Sequence, residues 1–128
     1  MTLTFTFPLP PSGLSPNARR TYWAKTYRLR KQYGEACEAL ILARMKREPA
    51  PNWMKARARV RWFNKDRRRR DRDNYAAMLK PAWDAMVHQR IIFDDWQGCL
   101  TVEPADFHID KDKPRVEVDI WPEKETDG

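Results

Sequence analysis

A chain of 128 residues, 41% of them hydrophobic, can bury one modest core and leaves little material for a second. Its 25 Lys and Arg outweigh 18 Asp and Glu, and the net charge of +7 points toward an anionic partner. Two cysteines, Cys37 and Cys99, exclude a disulfide framework and fall at no zinc-ligand spacing, so a reducing compartment is expected.

Charge is unevenly placed. Residues 1–54 carry nine cations and three anions, residues 55–72 carry ten and two, and residues 73–128 carry six and thirteen. The basic surface therefore belongs to the first half, with the acids gathered after it.

In chain order, Leu3, Phe5 and Phe7 alternate with Thr4 and Thr6, the pattern of a strand with one buried face. This opening has no cationic leader and no long apolar run, so neither a signal peptide nor a membrane span is expected, and the protein reads as soluble and cytoplasmic. The stretch Pro8-Leu9-Pro10-Pro11-Ser12-Gly13 breaks the strand, and a basic loop with Asn17, Arg19 and Arg20 follows. Residues 23–47 lack proline. Thr26, Leu29, Tyr33, Ala36, Leu40 and Ala43 recur at spacings of three and four, predicting a long helix packed along that stripe.

Pro49, Pro51 and Asn52 end this helix. Ala56, Ala58, Val60 and Trp62 then alternate with Arg57, Arg59 and Arg61, predicting a half-buried strand with an open cationic face. It runs into Asp66-Arg67-Arg68-Arg69-Arg70-Asp71-Arg72-Asp73-Asn74. A helix is predicted over 74–88 with Asp73 as a possible cap; Pro81 lies within it and should kink it or split it in two, because an interior proline costs about 3 kcal/mol. After Asp94-Asp95 come a strand within 99–109, a turn at Asp110-Lys111-Asp112-Lys113-Pro114 and a last strand with Val116, Val118 and Ile120 inward. The order β-α-β-α-β-β implies an α+β domain over 1–122, a small mixed sheet with helices on one face, and a frayed tail over 123–128.

Three acids frame a candidate site: Asp71 and Asp73 at the strand-to-helix junction, and Asp95 on the loop after that helix. Hard carboxylate oxygens suit magnesium, or manganese, which complete their shells with water and phosphate oxygens. Such a site can activate water and polarise a phosphodiester, while the Arg run supplies affinity for the phosphate backbone. Alone, Asp-x-Asp is equally a turn-and-cap signal.

The Arg run with its Asp-x-Asp-Asn, the following helix with Lys80 and Asp84, and Asp94-Asp95-x-Gln97 together resemble the RusA family of Holliday junction resolvases. So does the opening Phe7-Pro8-Leu9-Pro10-Pro11-Ser12. The resemblance implies a RusA-like fold and a homodimeric, magnesium-dependent endonuclease that resolves four-way DNA junctions by paired symmetric nicks, commonly phage or prophage encoded. It places Asp71, Asp73 and Asp95 at the three catalytic carboxylate positions, with Asp94 the less favoured of its pair. The family's essential lysine stands four residues after the second Asp, where this chain has Ala77. Lys80 stands seven after it, an offset that returns to nearly the same helix face. Lys80 is thus either the active-site lysine or the partner of Asp84 in a helical ion pair. Another departure is His88-Gln89-Arg90, where the family often has Gly before the Asp-Asp loop.

Arg67, Arg68, Arg69, Arg70, Arg57, Arg59, Arg61, Arg19 and Arg20 are the candidate DNA contacts. Trp96, beside Asp95, is expected in a core or interface unless it stacks on an unpaired base. His88 and His108 read as structural before catalytic, and Asp106, Asp110 and Asp112 as turn residues before a second cation site. No Gly-rich phosphate loop or dinucleotide fingerprint appears, so no nucleotide cofactor is expected. A non-catalytic protein holding branched or double-stranded DNA by the same cationic face is the alternative.

Overall fold

The computed structural model describes residues 1–15, 23–66 and 72–123, with the backbone alone for residues 72–74. Strand β1 (Leu3–Phe7) and a 3-10 turn (Ser12–Leu14) precede helix α1 (Trp23–Arg44) and strand β2 (Ala56–Asn64). Two short helices follow, α2 (Arg72–Met78) and α3 (Lys80–His88), then strands β3 (Leu100–Val102), β4 (Asp106–Ile109) and β5 (Arg115–Pro122).

The sheet runs β1-β5-β2-β3, with β4 also on β2. Strand β5 lies antiparallel between β1 and β2, whereas β3 and β4 both run parallel to β2 along its other edge. The single strand expected within 99–109 is therefore interrupted. Val102 pairs with Ala58 and Asp106 with Arg61, so three residues of one strand stand opposite two of its neighbour. Pro104, with no N–H to give, lies in this bulge.

Period-two alternation decides which face is covered. Leu3, Phe5 and Phe7 of β1, Ala56, Ala58, Val60 and Trp62 of β2, and Val116, Val118 and Ile120 of β5 are all buried. Each large apolar side chain so placed contributes about 1.5–3 kcal/mol. Helix α1 packs on β1 and α3, which puts the helices over this face and bears out the α+β architecture.

The stripe on α1 departs from the sequence expectation. Tyr33, Cys37 and Ile41 are buried, with Met45 just beyond the helix, while Ala36, Leu40 and Ala43 are exposed. Beyond Tyr33 the helix buries the row at spacings of four, because Ile41 and Met45 offer more apolar surface than Ala36 and Ala43.

Pro81 splits the second helical stretch, as expected. Leu79 separates α2 from α3, and its carbonyl accepts the Ala82 and Trp83 N–H groups at 2.9 and 3.3 Å. Pro81 thereby falls in the first turn of α3, where its missing N–H leaves no bond unmade. No helix among the described residues is long and apolar enough to cross a membrane.

Candidate active site

Two segments meet at the described part of the site, the start of α3 and the loop that follows it, and α2 precedes them in the chain. Helix α2 begins at Arg72, so Asp73 lies in its first turn and does not cap it. There a carboxylate is favoured by the positive end of the helix dipole. Asp71, Arg67, Arg68, Arg69, Arg70, Arg19 and Arg20 lie outside the described residues, as does the tail over 124–128.

Tyr75 anchors α2 to the sheet. Its hydroxyl donates to the Asn64 side-chain oxygen at 3.1 Å, and its ring packs on Trp62 with centroids 4.5 Å apart. Asn64 occupies the buried register position after Trp62 and is the buried polar residue of the core. A polar group there requires a partner. The sequence signal for such a partner is Asn64 itself, a polar residue ending an apolar alternation.

Lys80 opens α3, a location where a cation opposes the helix dipole. It is held there by two acids. Its ammonium lies 3.0 Å from Asp84 one turn on, and it also contacts the Asp95 carboxylate. The helical ion pair with Asp84 is thus formed, and the same ammonium also meets Asp95. Hydrogen bonding to Asp95, and then to Asp84, holds its pKa above the ordinary lysine value. The side chain is a fixed cation, suited to donating to an anion and unsuited to taking a proton.

The Asp95 loop is pinned from below. Asn52 and Trp53 donate to the Arg90 and Ile91 carbonyls, Phe93 donates to Trp53, and Ile91 and Ile92 are fully buried. Arg90 sits at φ 61°, its N–H reaching the Val87 carbonyl at 3.0 Å while Ile91 reaches Met86 at 2.9 Å. This is the left-handed helix ending that glycine usually makes. Arg90 makes this turn in the chain.

The two acids of the pair differ in use. Asp94 accepts the Asp95 N–H at 2.7 Å and closes the turn, while the Asp95 side chain, 18% exposed, meets Lys80. Trp96 is 58% exposed, so of the expected core or interface positions the core is excluded; its ring covers Gly98, where an added Cβ would meet it at 2.3 Å.

The cations of β2 do not form a bare face. Arg57 pairs with Glu123 at 3.0 Å and approaches Glu103 at 3.9 Å, and Arg59 pairs with Glu103 at 3.2 Å. Arg61 lies 2.8 Å from Asp119, whose same oxygen accepts the Thr4 hydroxyl at 2.7 Å. Acids of the second half thus neutralise the cations of the first. These arginines hold strands together, with partial exposure left for the general field.

His88, at the far end of α3, contacts Glu38 of α1, and His108 stacks on Phe63 at 4.9 Å. The Asp110 carboxylate accepts the Asp112 and Lys113 N–H groups at 3.1 Å and the Arg115 guanidinium at 2.8 Å, the last being the main cause of its lowered pKa. It is a turn residue. Among the described residues no three metal-ligating side chains cluster.

By residue type Asp71, Asp73 and Asp95 offer only carboxylate oxygens, donors that suit a hard divalent cation. Comparison with protein families puts the chain among the DNA endonucleases, and the matched residues, 11–121, run from the Pro-Pro turn to the last strand. The match is to the family Endodeoxyribonuclease RusA, and the chain belongs to it. Members act on branched DNA junctions. Among curated proteins none matches the chain.

Proposed function

We propose that this protein is a magnesium-dependent, structure-selective endodeoxyribonuclease that resolves four-way DNA junctions by paired symmetric nicks, acting as a cytoplasmic homodimer in recombination and repair. The observation that carries the reading is the meeting of Lys80 and Asp95. Family membership supplies the substrate class.

Asp71, Asp73 and Asp95 would hold magnesium or manganese. When bound, the cation supplies Lewis-acid stabilisation of the phosphodiester and lowers the pKa of attacking water. The residues of the chain do the rest. Lys80, a permanent cation, donates to a non-bridging oxygen of the scissile phosphate and offsets the charge that grows there. Asp84 keeps the lysine aimed, and Asp94 fixes the backbone that presents Asp95. Arg67, Arg68, Arg69 and Arg70 lie beside the acids in sequence and hold the backbone of the junction arms. Two copies related by a two-fold axis give the two nicks their symmetry.

The test is incubation of the purified protein with an end-labelled synthetic four-way junction, with and without magnesium, beside a linear duplex of matching sequence. Paired symmetric nicks that need both magnesium and the junction are expected. Tight junction binding without nicks in magnesium or manganese would overturn the catalytic reading in favour of a DNA-holding protein.

A further inference from the structure

With Arg57, Arg59 and Arg61 engaged by acids, the exposed cations of α1 stand out. Residues 23–34 contain Lys25, Arg28, Arg30 and Lys31 and no acid. All four cations are exposed, and none forms an ion pair with a described residue. Trp23 and Tyr27 accompany them, 77% and 62% exposed. Trp23, Tyr27, Arg30 and Lys31 follow the spacing i, i+4, i+7, i+8, one stripe of a helix whose opposite side carries Leu29 and Tyr33 to the interior. A merely solvated face has no reason to hold two large aromatics in that stripe.

The stripe is placed by the way α1 meets α3. A Cβ at Gly34 would sit 3.8 Å from Pro81, and Glu38 contacts His88, so the two helices run in the same sense along their contact. Residues before Gly34 therefore project beyond the start of α3, the end that bears Lys80, by about 16 Å at 1.5 Å per residue. Arg30 and Lys31 line the same surface cleft as Pro81 and Asp84. Asp84 in turn holds Lys80. The stripe is thus continuous with the candidate active site.

We infer that the N-terminal half of α1 is a DNA-docking surface, on which Arg30 and Lys31, flanked by Arg28, track the phosphates of a duplex arm leading into the active site while Trp23 and Tyr27 lie against its sugars and bases. The inference rests on the junction-nuclease reading and adds a contact surface to it. Duplex DNA carries one charge per ~1.7 Å of axis, so a stripe about 12 Å long meets several phosphates. Base faces opened near a crossover stack on exposed aromatics without regard to sequence.

The test compares two double variants of equal charge. Arg30→Gln/Lys31→Gln removes the two cations of the stripe, and Lys46→Gln/Arg47→Gln removes two exposed cations beyond the other end of α1. Binding to a synthetic four-way junction is measured by fluorescence anisotropy across a salt series, with thermal melts to compare folding. The first pair is expected to make log K against log salt shallower by about 1.8 and to weaken binding at least tenfold at ~100 mM salt, as two lost phosphate contacts require. The second pair is expected to keep the wild-type slope. Equal changes in both variants would overturn the surface and leave a diffuse basic field. Wild-type protein that binds the junction without nicking it would sink the nuclease reading while the slope comparison still judged the surface. Wild-type protein that binds no DNA would overturn both.

Discussion

Lys80, at the first position of α3, reaches the Asp95 carboxylate fifteen residues later while a second acid, Asp84, grips it from one turn along its own helix. The two acids do different work. Asp95 sits on a loop pinned by buried isoleucines and is mostly shielded, whereas Asp84 is more than half exposed. Lys80→Met should therefore lower kcat about 10²–10³-fold, the scale of losing one preorganised charge donor, with junction binding little changed. Lys80→Arg should recover part of that loss. Asp84→Asn should cost no more than about fivefold, since an exposed pair is worth at most ~1 kcal/mol. Single-turnover cleavage of a labelled junction measures all three, and equal losses for Met and Asn would remove Lys80 from the chemistry.

Asp73 lies in the first turn of α2, where an anion is favoured, and close in sequence to a dense cationic run. Asp73→Asn should abolish cleavage while junction binding persists or tightens, because a negative charge facing phosphate is gone. Parallel gel-shift and nicking assays read both quantities. Unchanged cleavage would sink the assignment of this acid.

The strands were legible because period-two alternation is a local signal: Leu3, Phe5 and Phe7, and likewise Val116, Val118 and Ile120, announce their own buried face. Pro81 was legible for the same reason, its covalent chemistry allowing few outcomes. Partnerships were not. Nothing local tells Arg57, Arg59 and Arg61 that Glu103, Asp119 and Glu123 will fold against them, because those pairs form only when β5 and the bulge after β3 dock on β2. The same holds for Lys80, where the Asp84 pair is visible as a helical spacing and the Asp95 contact requires the whole loop.

The Tyr75 to Asn64 hydrogen bond ties the turn that carries Asp73 to the end of β2. Tyr75→Phe leaves the Asn64 oxygen buried without that donor, a loss of about 1–3 kcal/mol. A urea titration should show a lower midpoint with an unchanged slope. Cleavage under conditions where the variant is folded should fall too, because the Asp73 turn loses its anchor to the sheet.

Cys37 supplies a pH signature of the core. Burial, partly opposed by a hydrogen bond with Tyr33, pushes its thiol up to about 12. In the unfolded chain a cysteine ionises near ~8.5, so above that pH the unfolded state sheds a proton that the native state keeps, and stability falls as pH rises. Wild-type stability should decline from about pH 8.5 upward, and the comparison is read below about pH 9.5, before Tyr and Lys reach their midpoints at ~10 and ~10.4. Cys37→Ala, though less stable at neutral pH, should show a flatter profile in that window. Parallel slopes for the two proteins would place the thiol outside the core.

Arg90 offers the opposite case, a site where the sequence is locally unfavourable. Its φ of 61° carries the chain out of α3 by the glycine-type ending, and an L-residue pays about 1–2 kcal/mol for that conformation. Its side chain is exposed and makes no ion pair with a described residue. Arg90→Gly removes the strain, and the gain is offset in part by the greater freedom of glycine in the unfolded chain, worth ~0.5–1 kcal/mol. The variant should be more stable by up to about 1 kcal/mol, a rise of a few degrees in Tm for a domain of this size. Cleavage should stay at the wild-type rate, because the bonds from Arg90 and Ile91 to Val87 and Met86 are backbone bonds that glycine keeps. A destabilised Arg90→Gly would show instead that the arginine side chain holds the Asp95 loop, and junction cleavage would then fall with it.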